Sequence, residues 1–288
     1  MYQQLLNLKI FKKHKLIFFS LFFSYYSPAT VSRCGMVYME PGSLGFEPLV
    51  VSWLDSFPPY VLERTTCREK LRILIDQYVL DTITFVKRFC SEPVLTTTNN
   101  LVQSMMRLID TFLYPFLRSP TNHMEEDGPP MELTDKLEEE IESIFIFSLI
   151  WSVGACIDLK SRYRFSNYLR SLCLDRQCLN VIPEEGLVYD YCVHEDTGLW
   201  CAWINPEFIF EPKTAITPFN EIVVPTKDTI RTRYVLQKLI SNRSHVLITG
   251  GTGTGKTTIV MQYLSGTGEA GSRPSTQLEK NALKRTVR

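Results

Sequence analysis

Apolar residues between positions 71 and 155 recur largely at three- and four-residue steps, the period of an amphipathic helix. The pattern predicts a helix from Leu71 and a second helix after Asn99-Asn100, where an asparagine would serve as the N-cap. A third, longer helix is predicted to start near Leu133. Because the segment from Ile144 to Ala155 is apolar on nearly all sides, we expect other helices to enclose it.

Charged residues near these helices have ordinary structural explanations. Negative charge favours a helix N-terminus, and the acidic run at the start of the third helix is interpreted as a solvated helix face and not as a metal site. Its members are Glu132, Asp135, Glu138, Glu139 and Glu140. Lys160, Arg162 and Arg164 are interpreted as surface charges on a further helix.

Downstream of residue 180 the pattern changes to one typical of strands. Leu187 to Val193 and Leu199 to Trp203 are rich in β-branched and aromatic residues, and they flank a short polar turn that ends in Gly198. Glycine readily adopts the positive φ that such a turn requires, so the segment predicts a β-hairpin. Three prolines then indicate an irregular crossing into a new unit: Pro206, Pro212 and Pro218.

A glycine-rich motif follows a strand-like run at His245 to Thr249. The motif matches G-x-x-x-x-G-K-[ST], and it is followed by a predicted helix that continues to Leu264. Glycines let the backbone curl so that N–H groups point at phosphates, and the helix N-terminus adds partial positive charge. The predicted nucleotide-binding residues are Gly250, Gly251, Thr252, Gly253, Thr254, Gly255, Lys256, Thr257 and Thr258.

The motif predicts ATP and Mg²⁺ as ligands. Lys256 would reach the β- and γ-phosphates, and the Thr257 hydroxyl would bind Mg²⁺. Upstream, a helix from Ile230 to Ile240 is predicted, with Asp228 as its N-cap. The segment before that helix is well placed to contact the nucleotide base.

Composition narrows the possible partners. The 31 basic and 31 acidic residues cancel, so the chain lacks the overall positive charge typical of nucleic-acid binders, and no nucleic-acid partner is expected. The eight cysteines lack the dense spacing of a disulfide-rich secreted domain and are interpreted as reduced intracellular thiols. Five residues could be combined into a zinc site, but they contain no CxxC pair, which favours buried small side chains instead: Cys173, Cys178, Cys192, His194 and Cys201.

The two ends of the chain differ from the middle. An apolar run from Leu16 to Tyr26 follows several lysines, as in a signal peptide, but it is too short to span a bilayer and no cleavage site follows it. We favour a hydrophobic extension for residues 1–26 over a membrane anchor. The polar, glycine-containing segment 265–288 is expected to be disordered, because it buries too little apolar surface to offset its ordering entropy.

Six segments between Ser27 and Leu264 carry a resemblance to a known family. They are Ser27–Pro41 (SPATVSRCGMVYMEP), Val51–Leu54 (VSWL), Phe145–Gly154 (FIFSLIWSVG), Val188–Tyr191 (VYDY), Val224–Thr229 (VPTKDT) and the glycine motif at Gly250–Thr257. Together they resemble dynein heavy chains of the axonemal type. The resemblance implies the end of the second AAA+ module of the motor ring, the helical lid of that module, and the P-loop that opens the third module.

The implied fold class is α/β with a mainly α-helical lid: a partial P-loop AAA+ architecture with an incomplete parallel sheet, a helical small domain and a β-hairpin linker. The expected divisions are the extension at 1–26, the end of an AAA+ large subdomain at 27–46, the lid at 47–180, the hairpin linker at 181–213, the start of the next module at 214–264, and the tail at 265–288. Arg33 resembles the arginine that an AAA+ module presents to the nucleotide of its neighbour.

The resemblance also implies partners and a location. The partners are ATP or ADP, the remaining AAA+ modules of the ring, microtubules, and dynein light and intermediate chains, in the cytoplasm at the axoneme of a cilium. No Walker B strand or sensor follows Thr257, so we expect this chain alone to bind nucleotide without hydrolysing it. The alternative function is a helical protein-interaction module, residues 47–178, with an inert P-loop.

Overall fold

Helices account for most of the structure, as the spacing of apolar residues predicts. The computed structural model describes residues 44–58, 66–117, 131–194, 197–203 and 226–266, all within one structural unit of residues 44–288. The predictions for the N-terminal extension, Arg33 and residues 267–288 of the tail lie outside the described residues, while residues 265 and 266, which were also predicted to be in the tail, belong to the last helix. Among the described residues, none of the helices combines the length and the hydrophobicity that a membrane span requires.

Eight α-helices and two strands are present in the described ranges. In chain order they are α1 (Glu47–Asp55), α2 (Cys67–Leu74), α3 (Leu80–Phe89), α4 (Thr98–Leu117), α5 (Met131–Ser152), α6 (Leu159–Asp175), β1 (Tyr191–Val193), β2 (Trp200–Ala202), α7 (Lys227–Ser241) and α8 (Lys256–Gly266). A π-helical turn at Ile75–Val79 joins α2 to α3, and short 3-10 helices occupy Gly154–Cys156 and Val188–Asp190.

The first six helices form a domain with one continuous apolar core. Helix α5 is its centre and packs against α2 and α4. Its second half is buried on nearly all sides, which confirms the prediction from the uninterrupted apolar run: Phe145, Ile146, Phe147, Leu149 and Ile150 are each at most 2% exposed. Helix α6 packs on α3, where the rings of Phe85 and Tyr168 stack with their centroids 3.8 Å apart.

Two predicted details of this domain are wrong. Helix α4 begins at Thr98, and the Thr97 hydroxyl accepts the Asn100 N–H at 3.3 Å, so Asn99-Asn100 lies inside the first turn and does not cap it. The acidic run of α5 is also only partly a solvated face. Glu139 is exposed, but Glu140 is 8% exposed and its side chain contacts the turn at Gly198. The hairpin, which is distant in sequence, covers that position.

The predicted β-hairpin is confirmed in a shorter form. β1 and β2 pair antiparallel, with Tyr191 opposite Ala202 and Val193 opposite Trp200. Gly198 has a φ of +64°, as the turn requires. A side chain at Gly198 would collide with Glu140, because its Cβ would lie 2.3 Å from the Glu140 Cγ. The segment before β1 is a 3-10 helix and not a strand.

The glycine motif connects the last two helices, and two predictions near it are wrong. Helix α7 is capped by Thr226, whose hydroxyl accepts the Thr229 N–H, while Asp228 lies in its first turn. Residues 245–249 do not form a strand in the described structure, and Leu247 is 76% exposed. A strand is defined by hydrogen bonding to a neighbour, and the described residues provide no neighbouring strand for this segment.

Candidate nucleotide-binding site

The glycine motif forms an open loop that leads directly into α8. Gly253 and Gly255 both have a φ of +79°, a conformation that side-chain-bearing residues rarely adopt. No atom would lie within 4 Å of a Cβ at either position, so the space beside both glycines is open. At Gly250, by contrast, a Cβ would lie 3.1 Å from the Thr254 hydroxyl. The glycines therefore serve two purposes, a left-handed backbone and close packing within the loop.

Lys256 is the first residue of α8, and its side chain folds back over the loop. The ammonium group donates to the carbonyl of Gly251 at 2.6 Å and to that of Gly250 at 3.0 Å. The hydroxyl of Thr254 also donates to the Gly251 carbonyl, at 2.9 Å. These contacts hold the one cationic side chain of the loop directly above its backbone.

Two hydroxyl groups stand at the start of α8. Thr257 and Thr258 are exposed, in the first turn of a helix whose N-terminus carries partial positive charge. The helix is anchored by its buried face, where Ile259 and Val260 are 8% and 6% exposed. The anchor fixes the direction of the helix axis, while the hydroxyls stay accessible.

This donor set fits a nucleotide phosphate with Mg²⁺. The loop offers an open glycine backbone, a helix N-terminus and one ammonium group, which are the groups that bind phosphate in proteins. The Thr257 hydroxyl offers the hard oxygen ligand that Mg²⁺ prefers. Among the described residues, no group of three or more His, Cys, Asp or Glu side chains could hold a metal ion.

Helix α7 links this loop region to the helical domain. Tyr234 of α7 lies against Trp203, with ring centroids 5.0 Å apart and the rings nearly perpendicular. Tyr234 also meets the edge of Phe147 at 6.2 Å. The ammonium of Lys238 lies 5.2 Å from the centre of the Phe112 ring, a favourable cation–π distance. Phe112 of α4, Phe147 of α5 and Trp203 of the hairpin therefore form the aromatic surface on which α7 packs, called here the aromatic seat.

A group of charged side chains forms the other half of this contact. Arg231 of α7 is only 6% exposed and makes an ion pair with Asp190, which lies immediately before β1. Asp228 approaches Arg231 at 3.6 Å and Arg162 of α6 at 3.9 Å. Arg162 in turn lies over the Tyr189 ring, 5.0 Å from its centre. Arg162 therefore takes part in the interface and is not merely a surface charge.

The structure brings the predicted loop residues together, but sequence reasoning missed the groups that hold the region in place. Arg231 pairs with a residue 41 positions away, a separation that no local pattern reveals. One signal was available: Arg231 shares a helical stripe with Tyr234, Val235 and Lys238. A charged residue within such a stripe needs a partner when it is buried.

Comparison with known proteins gives two family matches in the same order along the chain. Residues 71–205 match the dynein heavy chain AAA lid domain. Residues 211–277 match the P-loop containing dynein motor region. The first match coincides with most of the helical domain and the hairpin, and the second contains α7, the glycine loop and α8.

Individual relatives agree with the family matches. The chain is 37% identical over 257 residues to dynein axonemal heavy chain 1 of Homo sapiens, an alignment that covers 83% of this chain and 6% of the relative. Identity to the Mus musculus protein of the same name is 38%, with the same coverage. Dynein axonemal heavy chain 2 of Homo sapiens is 33% identical, covering 87% of this chain and 5% of the relative. The chain thus spans a small part of the length of these relatives, and it belongs to the dynein heavy-chain family.

Proposed function

We propose that the loop from Gly250 to Thr258 binds the phosphates of ATP or ADP together with Mg²⁺, as the nucleotide site of a dynein-type motor region. The observation that carries this proposal is the loop itself: two glycines adopt a positive φ at a helix N-terminus, and the Lys256 ammonium lies 2.6 Å from a loop carbonyl. In this family context the helical domain is the lid of one AAA+ module, and the loop opens the next.

The role of Lys256 follows from its present partners. Its ammonium bonds carbonyl oxygens, which carry only partial negative charge. Phosphate oxygens carry full charge and make stronger, charge-assisted hydrogen bonds. Bound nucleotide would therefore draw the ammonium from the carbonyls to the β- and γ-phosphates, through a small movement of a flexible side chain.

The larger setting is proposed from the relatives. Their names describe axonemal heavy chains, which supports action at the microtubules of a cilium alongside further AAA+ modules and the smaller dynein chains. In that setting the helical domain would be the lid of the second AAA+ module, and the glycine loop would be the P-loop of the third. Arg33, outside the described residues, would face the nucleotide of a neighbouring module.

Calorimetric titration of the purified chain with MgATP and MgADP tests the nucleotide site. Lys256→Ala removes the ammonium and should weaken binding about tenfold to a hundredfold, the loss expected for charged hydrogen bonds of roughly 1.5–3 kcal/mol. Lys160→Ala is the matched control, because Lys160 is an exposed lysine on α6, and it should bind as the wild type does. Thr257→Ala should weaken the binding of MgATP more than it weakens the binding of ATP without Mg²⁺.

Equal affinities for the wild type, Lys256→Ala and Lys160→Ala would contradict the proposal. A second candidate function would then stand, a helical interaction module with an inert P-loop. One observation favours it: the core of the helical domain is assembled without any residue of α7 or α8. A pull-down that retains a partner on residues 47–178 of the chain, with no effect of nucleotide, would support that function.

A further inference from the structure

Two cysteines face each other across the β-hairpin. Cys192 of β1 is the register partner of Cys201 of β2, and their sulfur atoms are 3.3 Å apart. Both residues are partly exposed and neither is in a disulfide. The zinc hypothesis grouped them with other ligands, but the structure makes them a dithiol pair of their own.

The Cα spacing at this pair is compatible with a disulfide, although a hydrogen-bonded pair holds its Cβ atoms further apart than a non-hydrogen-bonded pair does. The His194 N–H donates to the Leu199 carbonyl and the Trp203 N–H donates to the Asp190 carbonyl. Because hydrogen-bonded pairs alternate along an antiparallel hairpin, residues 192 and 201, midway between these two pairs, are also a hydrogen-bonded pair. The Cα atoms of such a pair lie about 5.5 Å apart, within the ~4.4–6.8 Å range of disulfides. The sulfur atoms start at 3.3 Å and need to approach by only about 1.2 Å to reach the length of an S–S bond.

A second cysteine pair provides an internal contrast. Cys173 and Cys178 are 3% and 8% exposed, and the Cys178 sulfur also lies 2.9 Å from the Tyr78 hydroxyl. The hydrogen bond to Cys178, together with burial, raises the pKa of Cys173. The same hydrogen bond lowers the pKa of Cys178, so protonation does not protect this pair; burial does, because it keeps a dissolved oxidant away from both sulfur atoms. The hairpin pair is the more accessible of the two.

We propose that Cys192 and Cys201 form a redox-modification site, a dithiol that hydrogen peroxide oxidises to a disulfide and that a thiol reductant restores. The thiolate of one cysteine attacks a peroxide oxygen, the O–O bond breaks, and a sulfenic acid and one water form. The other sulfur then displaces the sulfenic oxygen as a second water, and the S–S bond closes. Each sulfur loses one electron, and one hydrogen peroxide is reduced to two waters.

The position of the pair gives the modification a structural consequence. Asp190 and Trp203 lie at the open end of the same hairpin, and these residues contact Arg231 and Tyr234 of α7. A covalent link between the strands would fix the spacing of both anchors. The oxidation state of the hairpin would therefore change how firmly α7 is held against the helical domain. This effect does not depend on the proposed nucleotide binding.

Peptide mapping of the native chain tests the proposal. The full chain is treated with hydrogen peroxide, the remaining thiols are alkylated in denaturant, and the protein is cleaved after glutamate. Glu195 separates Cys192 from Cys201, and Glu185 separates Cys192 from Cys178. We expect fragments 186–195 and 196–207 to remain joined, with the mass of two hydrogens missing, until dithiothreitol releases them.

Serine variants of three cysteines serve as controls for the peptide mapping. Cys192→Ser and Cys201→Ser should each abolish the joined species, and having two variants guards against one that fails to fold. Cys173→Ser leaves the hairpin intact, so the joined species should persist at the wild-type yield. Recovery of the two fragments unlinked from peroxide-treated, folded protein, or linkage of Cys192 mainly to Cys178, would overturn the proposal.

Discussion

The helical domain and the P-loop region differ in how they are stabilised. The domain formed by α1 to α6 has a continuous core in which Val79, Val86, Leu149 and other residues are fully buried. The region of α7, the glycine loop and α8 has few buried apolar residues, chiefly Leu236, Ile259 and Val260. The domain is held by its own apolar contacts, whereas the P-loop region depends on the aromatic seat and ion pairs that connect α7 to the domain.

This difference suits the two proposed roles. A lid must keep its shape while its neighbour changes state, and close packing supplies that rigidity. A phosphate-binding loop needs an open backbone and an accessible ammonium, which excludes a dense core around it. Low local stability is typical of segments that bind ligands or move.

The largest predicted effect compares one substitution in the two regions. Leu149→Ala removes a fully buried side chain from α5 and should lower the free energy of unfolding by about 2–5 kcal/mol. Leu247→Ala removes the same atoms from a 76% exposed position before the glycine loop. This substitution should change the free energy of unfolding by less than about 0.5 kcal/mol. Urea unfolding followed by circular dichroism measures both.

A cost for Leu247→Ala similar to that for Leu149→Ala would break the comparison. It would show that residues 245–249 are buried against another segment, as the sequence-based prediction of a strand required. The control Leu95→Ala, at a 90% exposed position in the helical domain, should be neutral in either case.

The second prediction concerns the ion pair that holds α7. Arg231→Met keeps the length of the side chain but removes the charge, which leaves Asp190 without its arginine partner. Asp190 is 29% exposed and can be rehydrated, so we expect a cost of about 2 kcal/mol, below the range for fully buried pairs. Because this cost falls on α7, its amide hydrogen exchange should accelerate roughly thirtyfold while that of α5 stays unchanged.

Arg233→Met is the matched control, since Arg233 is an exposed arginine two positions further along the same helix. It should leave exchange in α7 at the wild-type rate. If both variants behave like the wild type, the aromatic seat at Trp203 and Tyr234 alone holds α7 and the ion pair contributes nothing.

The sequence predicted well those elements that local periodicity determines. The apolar run at 144–155 predicted an enclosed helix, and the turn at Gly198 predicted the hairpin; both are confirmed. It failed where distant residues decide the outcome. Glu140 was predicted to be solvated, and the hairpin covers it from 58 positions away. The caps at Thr97 and Thr226 show how several adjacent polar residues can compete for the N-cap position of a helix.

The site shows the same division. Motif spacing correctly predicted a glycine loop that leads into a helix, because backbone conformation there depends on local residue types. The strand at 245–249 was wrong, because a strand needs a partner that spacing does not supply. The role of Arg231 was missed, since its partner Asp190 is close only in the folded chain. Which ligand the loop binds stays a prediction for the titration to decide.

The smallest predicted effect is a pH dependence at the start of α2. The backbone N–H of Thr66 donates to the Glu138 carboxylate at 2.6 Å and its hydroxyl donates at 3.0 Å, which lowers the pKa of Glu138 below its ordinary value. A group with a lowered pKa adds stability above its unfolded pKa of about 4.3, and the gain is lost as pH falls through the folded pKa.

Because the Glu138 side chain is 29% exposed, solvent screening limits the gain to below about 1 kcal/mol. Glu138→Gln should therefore unfold at lower urea than the wild type at pH 7, and the gap should narrow as the pH falls below about 4.3, the unfolded pKa. The exposed neighbour Glu139 gives the control Glu139→Gln, which should track the wild type at both pH values. A gap that persists unchanged at low pH would show that Glu138 acts through packing, and that the charge of its carboxylate does not stabilise this end of the helical domain.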